Sequence, residues 1–98
     1  MGSAIVVRYE TTVESAAENQ RLVEQVYTEL AGEQPDGLRY MTLRLADGVT
    51  FVHIAFRDPA ANPLSQSKAF HEFQADLGQR VTAPPQSSEA TVVGAYGF

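Results

Sequence analysis

Apolar positions recur along the chain in two different rhythms, and the change from one to the other marks out its elements. Ala4 to Glu10 is short and β-branched and is closed by Thr11-Thr12, as a first strand would be. Ser15 with Glu18 forms a capping-box pattern. Leu22, Val23, Val26, Tyr27 and Leu30 then fall on one helical stripe that ends at Gly32. The turn cluster Gln34-Pro35-Asp36-Gly37 releases the chain into a second strand, Leu38 to Leu45. Asp58 to Asn62 reads as a loop, with Asn62 capping a helix that has Pro63 in its first turn. That helix carries an apolar stripe of Leu64, Phe70, Phe73, Leu77 and Val81, and its regular turns end near Gly78. After a loop containing Pro84-Pro85, a last strand is expected over Ala90 to Tyr96.

Asp47-Gly48 between two alternating runs predicts a hairpin with a type I′ turn. A two-residue loop puts Ala46 opposite Val49 and so sets Leu43 against Val52, Met41 against Ile54, Arg39 against Phe56, Arg44 against Phe51, Thr42 against His53 and Tyr40 against Ala55. One face of this hairpin is almost wholly apolar, and the other mixes aromatic and polar side chains. The order strand, helix, strand, strand, helix, strand closes most simply as an α+β fold of the ferredoxin-like βαββαβ kind. Both helices then lie on one face of a four-stranded antiparallel sheet of order 4-1-3-2. The helices are expected to cover Ile5, Val7, Met41, Leu43, Val52, Ile54, Val92 and Tyr96. That leaves Val6, Arg8, Tyr40, Phe51, His53, Val93 and Ala95 on the open face. Such a face calls for cover by a second copy, with Val6, Arg8, Phe51, Val93 and Ala95 at the homodimer interface.

Ninety-eight residues, 44% of them hydrophobic, suit a single domain over residues 1–98 and leave no space for separate cofactor and substrate domains. A formal charge of −5 with seven dispersed Lys and Arg offers no basic stripe, so no nucleic-acid partner is expected. No apolar run is long enough to span a membrane and no secretory pattern opens the chain, which reads as cytoplasmic. Met1-Gly2-Ser3 begins like a myristoylation signal, but Val6 stands where that signal needs Ser or Thr. The absence of cysteine removes disulfides, thiolate catalysis and cysteine-bound metals.

Candidate chemistry is sparse. His53, beside Tyr40 and Thr42 in the hairpin register, is the candidate catalytic base, and its alternative role is that of a hydrogen-bonded structural histidine. The register sends His53 and His71 to opposite sides of the sheet and no H-x-x-x-H spacing exists, so no metal site is expected. Arg8, Arg39, Arg44 and Arg57 lie on separate strands and both faces, as dispersed charges rather than one anion site. Ser65-Gln66-Ser67-Lys68 has S-x-x-K spacing without the setting of an activated nucleophile, and no glycine-rich phosphate loop is present.

Two short stretches carry a family resemblance. Phe56-Arg57-Asp58 is similar to an aromatic-x-Asp strand end, and Ser67-Lys68-Ala69-Phe70-His71-Glu72-Phe73 to an S-x-x-F-x-x-F helix, both found in the dimeric α/β-barrel superfamily. The chain resembles most closely its antibiotic-biosynthesis-monooxygenase-like domains, over nearly the whole length in topology. The resemblance implies a homodimer and a pocket between helices and sheet for a planar or aromatic ligand. It also implies chemistry that needs no cofactor, neither metal nor flavin. Tyr27, Tyr40, Phe56, Phe70, His71 and Phe73 are the ligand-binding candidates, with core packing the alternative role for Tyr27, Phe56, Phe70 and Phe73 and a boundary position that for His71. Phe56 stands where many members carry Trp, and Leu64 where they often carry His, so an indole and an imidazole that could polarise a substrate are absent there. Small-molecule binding is therefore the leading expectation. A cofactor-independent monooxygenase and a purely structural dimerisation module are the alternatives.

Overall fold

The computed structural model describes residues 3–57 and 63–97. Its elements are β1 (Ser3–Glu10), α1 (Ala16–Glu33), β2 (Leu38–Arg44), β3 (Thr50–Arg57), a 3-10 turn (Pro63–Gln66), α2 (Lys68–Ala75), α3 (Leu77–Arg80) and β4 (Gln86–Thr91). The four strands form one antiparallel sheet in the order β2-β3-β1-β4, which is the expected ferredoxin-like α+β arrangement. The Asp58–Asn62 loop and the Asn62 cap lie outside the described residues, as do Met1 and Gly2.

The hairpin keeps the expected register from Arg39 against Phe56 to Arg44 against Phe51. Its turn is different. Of the two central residues only Gly48 has positive φ, at 79°, and its N–H closes a turn onto the Leu45 carbonyl at 2.9 Å. The Asp47 carboxylate accepts from the Val49 and Thr50 amides at 2.9 and 2.8 Å, and this Asx arrangement takes the place of a type I′ turn.

The faces of the hairpin are the reverse of those expected. β1 pairs with β3 so that Val7 opposes His53 and Tyr9 opposes Phe51. Since Val7 and Tyr9 pack into the core beneath the helices, Phe51, His53 and Ala55 share that covered face. Phe51, assigned above to the open face and a dimer interface, is 1% exposed in the core. Met41, Leu43, Val52 and Ile54 lie instead on the open face with Val6 and Arg8. The reversal is tolerated because the polar groups carried inward bond to one another, so every fully buried side-chain nitrogen and oxygen among the described residues has a hydrogen-bond partner.

Three element ends also shift. The Ser15 side chain makes no cap bond, and Glu18 pairs with Arg21 instead, while the Thr12 hydroxyl accepts from the Ser15 amide at 3.2 Å. α1 runs through Gly32 to a left-handed Gln34 (φ 49°), whose amide bonds to the Leu30 carbonyl. The last strand is Gln86–Thr91 rather than Ala90–Tyr96. As a solvated edge beside β1 it accommodates Ser, Gln and Glu, while Val93 and Tyr96 lie past its end, 98% and 100% exposed.

α2 is capped by Ser67, whose Oγ accepts from the Phe70 amide at 3.0 Å and donates to the Glu29 carboxylate of α1. One buried hydroxyl thus both starts the helix and ties it to its neighbour. Ser67→Ala is expected to cost about 1–2 kcal/mol in chemical denaturation. An unchanged midpoint and slope would remove the cap from the account.

Candidate functional site

Between α2 and the covered sheet face lies a cavity of about 140 Å³, lined among others by Tyr9, Tyr40, His53, Leu64, Phe70 and Phe73. Each element delivers its residues by its own period: β1 supplies Val7 and Tyr9, the hairpin Tyr40, His53 and Ala55, and α2 Phe70 and Phe73 three residues apart. The His53 ring is tilted against Tyr9, Tyr40 and Phe73 at centroid distances of 5.3, 5.8 and 5.4 Å. Phe70 meets Tyr40 edge-on at 6.5 Å, and Tyr27 stacks on the other side of Tyr40 at 5.2 Å.

His53 is held at both ring nitrogens. Nε2 lies 2.7 Å from the Tyr9 hydroxyl, and Nδ1 lies 2.5 Å from the Tyr40 hydroxyl and 3.2 Å from Thr42 Oγ1. The chain of bonds continues at each end. Thr42 meets the Tyr27 hydroxyl at 2.7 Å, while Asn19 Nδ2 donates to Tyr9 at 2.9 Å and Arg80 Nε donates to Asn19 Oδ1 at 2.9 Å. Arg80 also donates to the Phe73 carbonyl at 2.7 Å, and its guanidinium lies over the Phe73 ring. Backbone bonds from Thr12 to Arg80 and from Thr82 to Glu10, each 2.9 Å, hold Arg80 beside the start of α1.

Burial sets the charge state of this assembly. It pushes the His53 imidazole down to about 4, so the ring is neutral at pH 7. It pushes the Tyr9 phenol up to about 12, and Tyr40 and Tyr27 upward as well, so all three keep their protons. The polar wall of the cavity is therefore uncharged. A ring nitrogen this weakly basic, with hydroxyls at both nitrogens, is a poor proton acceptor at neutral pH. The geometry supports orientation and hydrogen bonding by His53 more than general-base catalysis.

Of the ligand-binding candidates, Tyr40, Phe70 and Phe73 line the cavity together with His53. Tyr27 stands one ring away, behind Tyr40. His71 is exposed on α2 and donates from Nε2 to the Ser65 carbonyl at 2.6 Å, so both histidines lie on the helical side of the sheet. Phe56 follows Ala55 on β3 and belongs to the opposite face of the pleat. The sequence reading missed Tyr9, Asn19 and Arg80. A signal for Asn19 was present, since it falls on the buried stripe Ala16, Asn19, Val23, Val26 where every other member is apolar. Among the described residues no three His, Asp or Glu side chains gather as metal ligands, and no helix is long and apolar enough to cross a membrane.

No protein-family model and no curated protein matches the chain in sequence. Solved structures match it closely in shape. Rv0793 from Mycobacterium tuberculosis superposes with a TM-score of 0.75 at 20% identity, over 97% of this chain and 98% of its own. A structure described as an antibiotic biosynthesis monooxygenase from Nitrosomonas europaea gives 0.77 at 13% identity, over 99% and 97%. A variant of SnoaB, a cofactor-independent oxygenase from Streptomyces nogalater, gives 0.71 at 20% identity, over 98% and 97%. The chain has the ferredoxin-like α+β fold that these structures share.

Proposed function

We propose that this chain is a single-domain cytoplasmic homodimer that binds a small planar or aromatic metabolite in the cavity between α2 and the sheet. The observation that carries the reading is a ring-lined cavity of about 140 Å³ whose polar groups are all neutral. A space of that size accommodates a single six-membered ring. Aromatic walls favour a flat ligand, and the neutral hydroxyls can meet one polar substituent. Dimerisation draws support from Met41 and Leu43, 38% and 43% exposed on the open face beside Val52, Ile54 and Val6, and from the exposed Val93 beyond β4. SnoaB's description as a cofactor-independent oxygenase makes oxidation of the bound ring the second reading. His53 does not favour it, being neutral and bonded at both nitrogens.

Single-ring aromatic compounds are expected to raise the melting temperature of the wild type. Ala55→Leu, which fills the cavity from β3, should fold and lose that response. Equal stabilisation of both proteins would place the ligand elsewhere and refute the reading. Oxygen uptake with an aromatic compound would move the oxygenase reading to first place.

A further inference from the structure

The hydrogen-bond chain through His53 has a direction, and Arg80 sets it. A guanidinium can only donate, so the Asn19 oxygen must face Arg80 and its NH2 must face Tyr9. The Tyr9 oxygen is then an acceptor, and its own proton, buried in the core, has one acceptor among the described residues, His53 Nε2. His53 consequently carries its proton on Nδ1 and donates it toward Tyr40 and Thr42. Beyond that point stand three hydroxyls, those of Tyr40, Thr42 and Tyr27, of which Thr42 and Tyr27 meet at 2.7 Å. Tyr40 lines the cavity and its oxygen takes the Nδ1 proton, and its own O–H then has no hydrogen-bond acceptor among the described residues.

We propose that Arg80 and Asn19, which do not line the ring-lined cavity, are positioning residues that fix the tautomer of His53. By doing so they leave one hydroxyl donor for the ligand, whose recognised group is an acceptor oxygen such as a ring-borne carbonyl. The second half rests on the ligand-binding reading, whereas the first half does not. The same direction explains what an isosteric change would do. In Asn19→Asp the carboxylate accepts from both Arg80 and Tyr9, which turns the Tyr9 oxygen toward a proton on Nε2 and makes Nδ1 the acceptor of the Tyr40 proton. The Tyr40 proton then has an acceptor in Nδ1, and the cavity loses that free donor.

Nitrogen NMR of the histidine rings tests this directly. Wild type is expected to show a protonated Nδ1 and an unprotonated Nε2 at His53, and Asn19→Asp the reverse. A protonated Nε2 in the wild type overturns the proposal whether or not the variant folds, and an unchanged tautomer in a folded variant overturns the positioning role of Asn19. Acetophenone and its isostere α-methylstyrene, which has CH2 in place of the carbonyl oxygen, probe the donor. Wild type should prefer the ketone by about fivefold, the yield of one net hydrogen bond, and Asn19→Asp should lose the preference. Equal binding of the two probes by wild type overturns the ligand-donor half and leaves ligand binding standing. Binding of neither overturns both that half and the reading beneath it, and the wild-type tautomer still decides the first half.

Discussion

In the proposed homodimer, Leu43→Asp is expected to shift the protein to monomer at micromolar concentration without unfolding it. Leu43 is 43% exposed on the open sheet face, opposite Val52 and beside Met41, so a monomer tolerates a carboxylate there in contact with water. In the dimer the same carboxylate would be held among apolar side chains of both copies, at a desolvation cost of several kcal/mol. That corresponds to a rise in dissociation constant on the order of a thousandfold. Phe51→Asp supplies the contrast: at 1% exposure and stacked on Tyr9, Phe51 lies in the core, and its replacement should unfold the chain rather than dissociate it. Sedimentation velocity and circular dichroism on the two variants separate these outcomes. A folded Phe51→Asp monomer, or a Leu43→Asp dimer, would restore the opposite assignment of faces.

The second large effect is acid lability centred on His53. The folded protein holds this imidazole neutral down to about pH 4, whereas in the unfolded chain it takes up a proton near its ordinary value of 6.5. Its contribution is therefore complete above about pH 6.5, declines as the pH falls, and is fully lost below about pH 4. The difference amounts to about 3 kcal/mol. Glu29 and Asp47, held below the ordinary carboxylate range chiefly by their hydrogen bonds to Ser67 and Thr50, weaken the fold in the same direction as they protonate. The His53 part is isolated by comparing wild type with His53→Gln in denaturant titrations at pH 7 and pH 4. The variant should be the less stable of the two at pH 7, and the gap should shrink or reverse at pH 4. A gap independent of pH would mean that His53 is not buried as described.

Much of the fold could be read from local residue choices. Asp47-Gly48 specified the pairing of β2 with β3 to the residue, and the Val23-Val26 stripe specified which side of α1 faces the sheet, because both signals act over a few neighbouring positions. The choice of hairpin face could not be read in this way. Met41, Leu43, Val52 and Ile54 are the more apolar set, and hydropathy alone sends them inward. The covered face instead holds Tyr40, Thr42 and His53, whose inward position depends on partners distant in sequence. Tyr9 reaches His53 across 44 residues and Arg80 reaches Asn19 across 61. A polar group's tolerance of burial depends on whether its partner arrives, and that is a property of the assembled sheet and helices. The same cause hid the candidate site: His53, Tyr40, Phe70 and Phe73 could be named one by one, while Tyr9 and Arg80 carry no short-range motif and Asn19 shows only as the polar member of an apolar stripe.

The central claim, that the ring-lined cavity is the binding site, is tested most directly by an NMR titration with acetophenone. Ring resonances of Tyr40, His53, Phe70 and Phe73 are followed together with the methyl groups of Met41 and Leu43. Saturable shifts confined to the four ring residues are the predicted result. Saturable shifts at Met41 and Leu43, with the His53 and Phe73 rings unmoved, would contradict it.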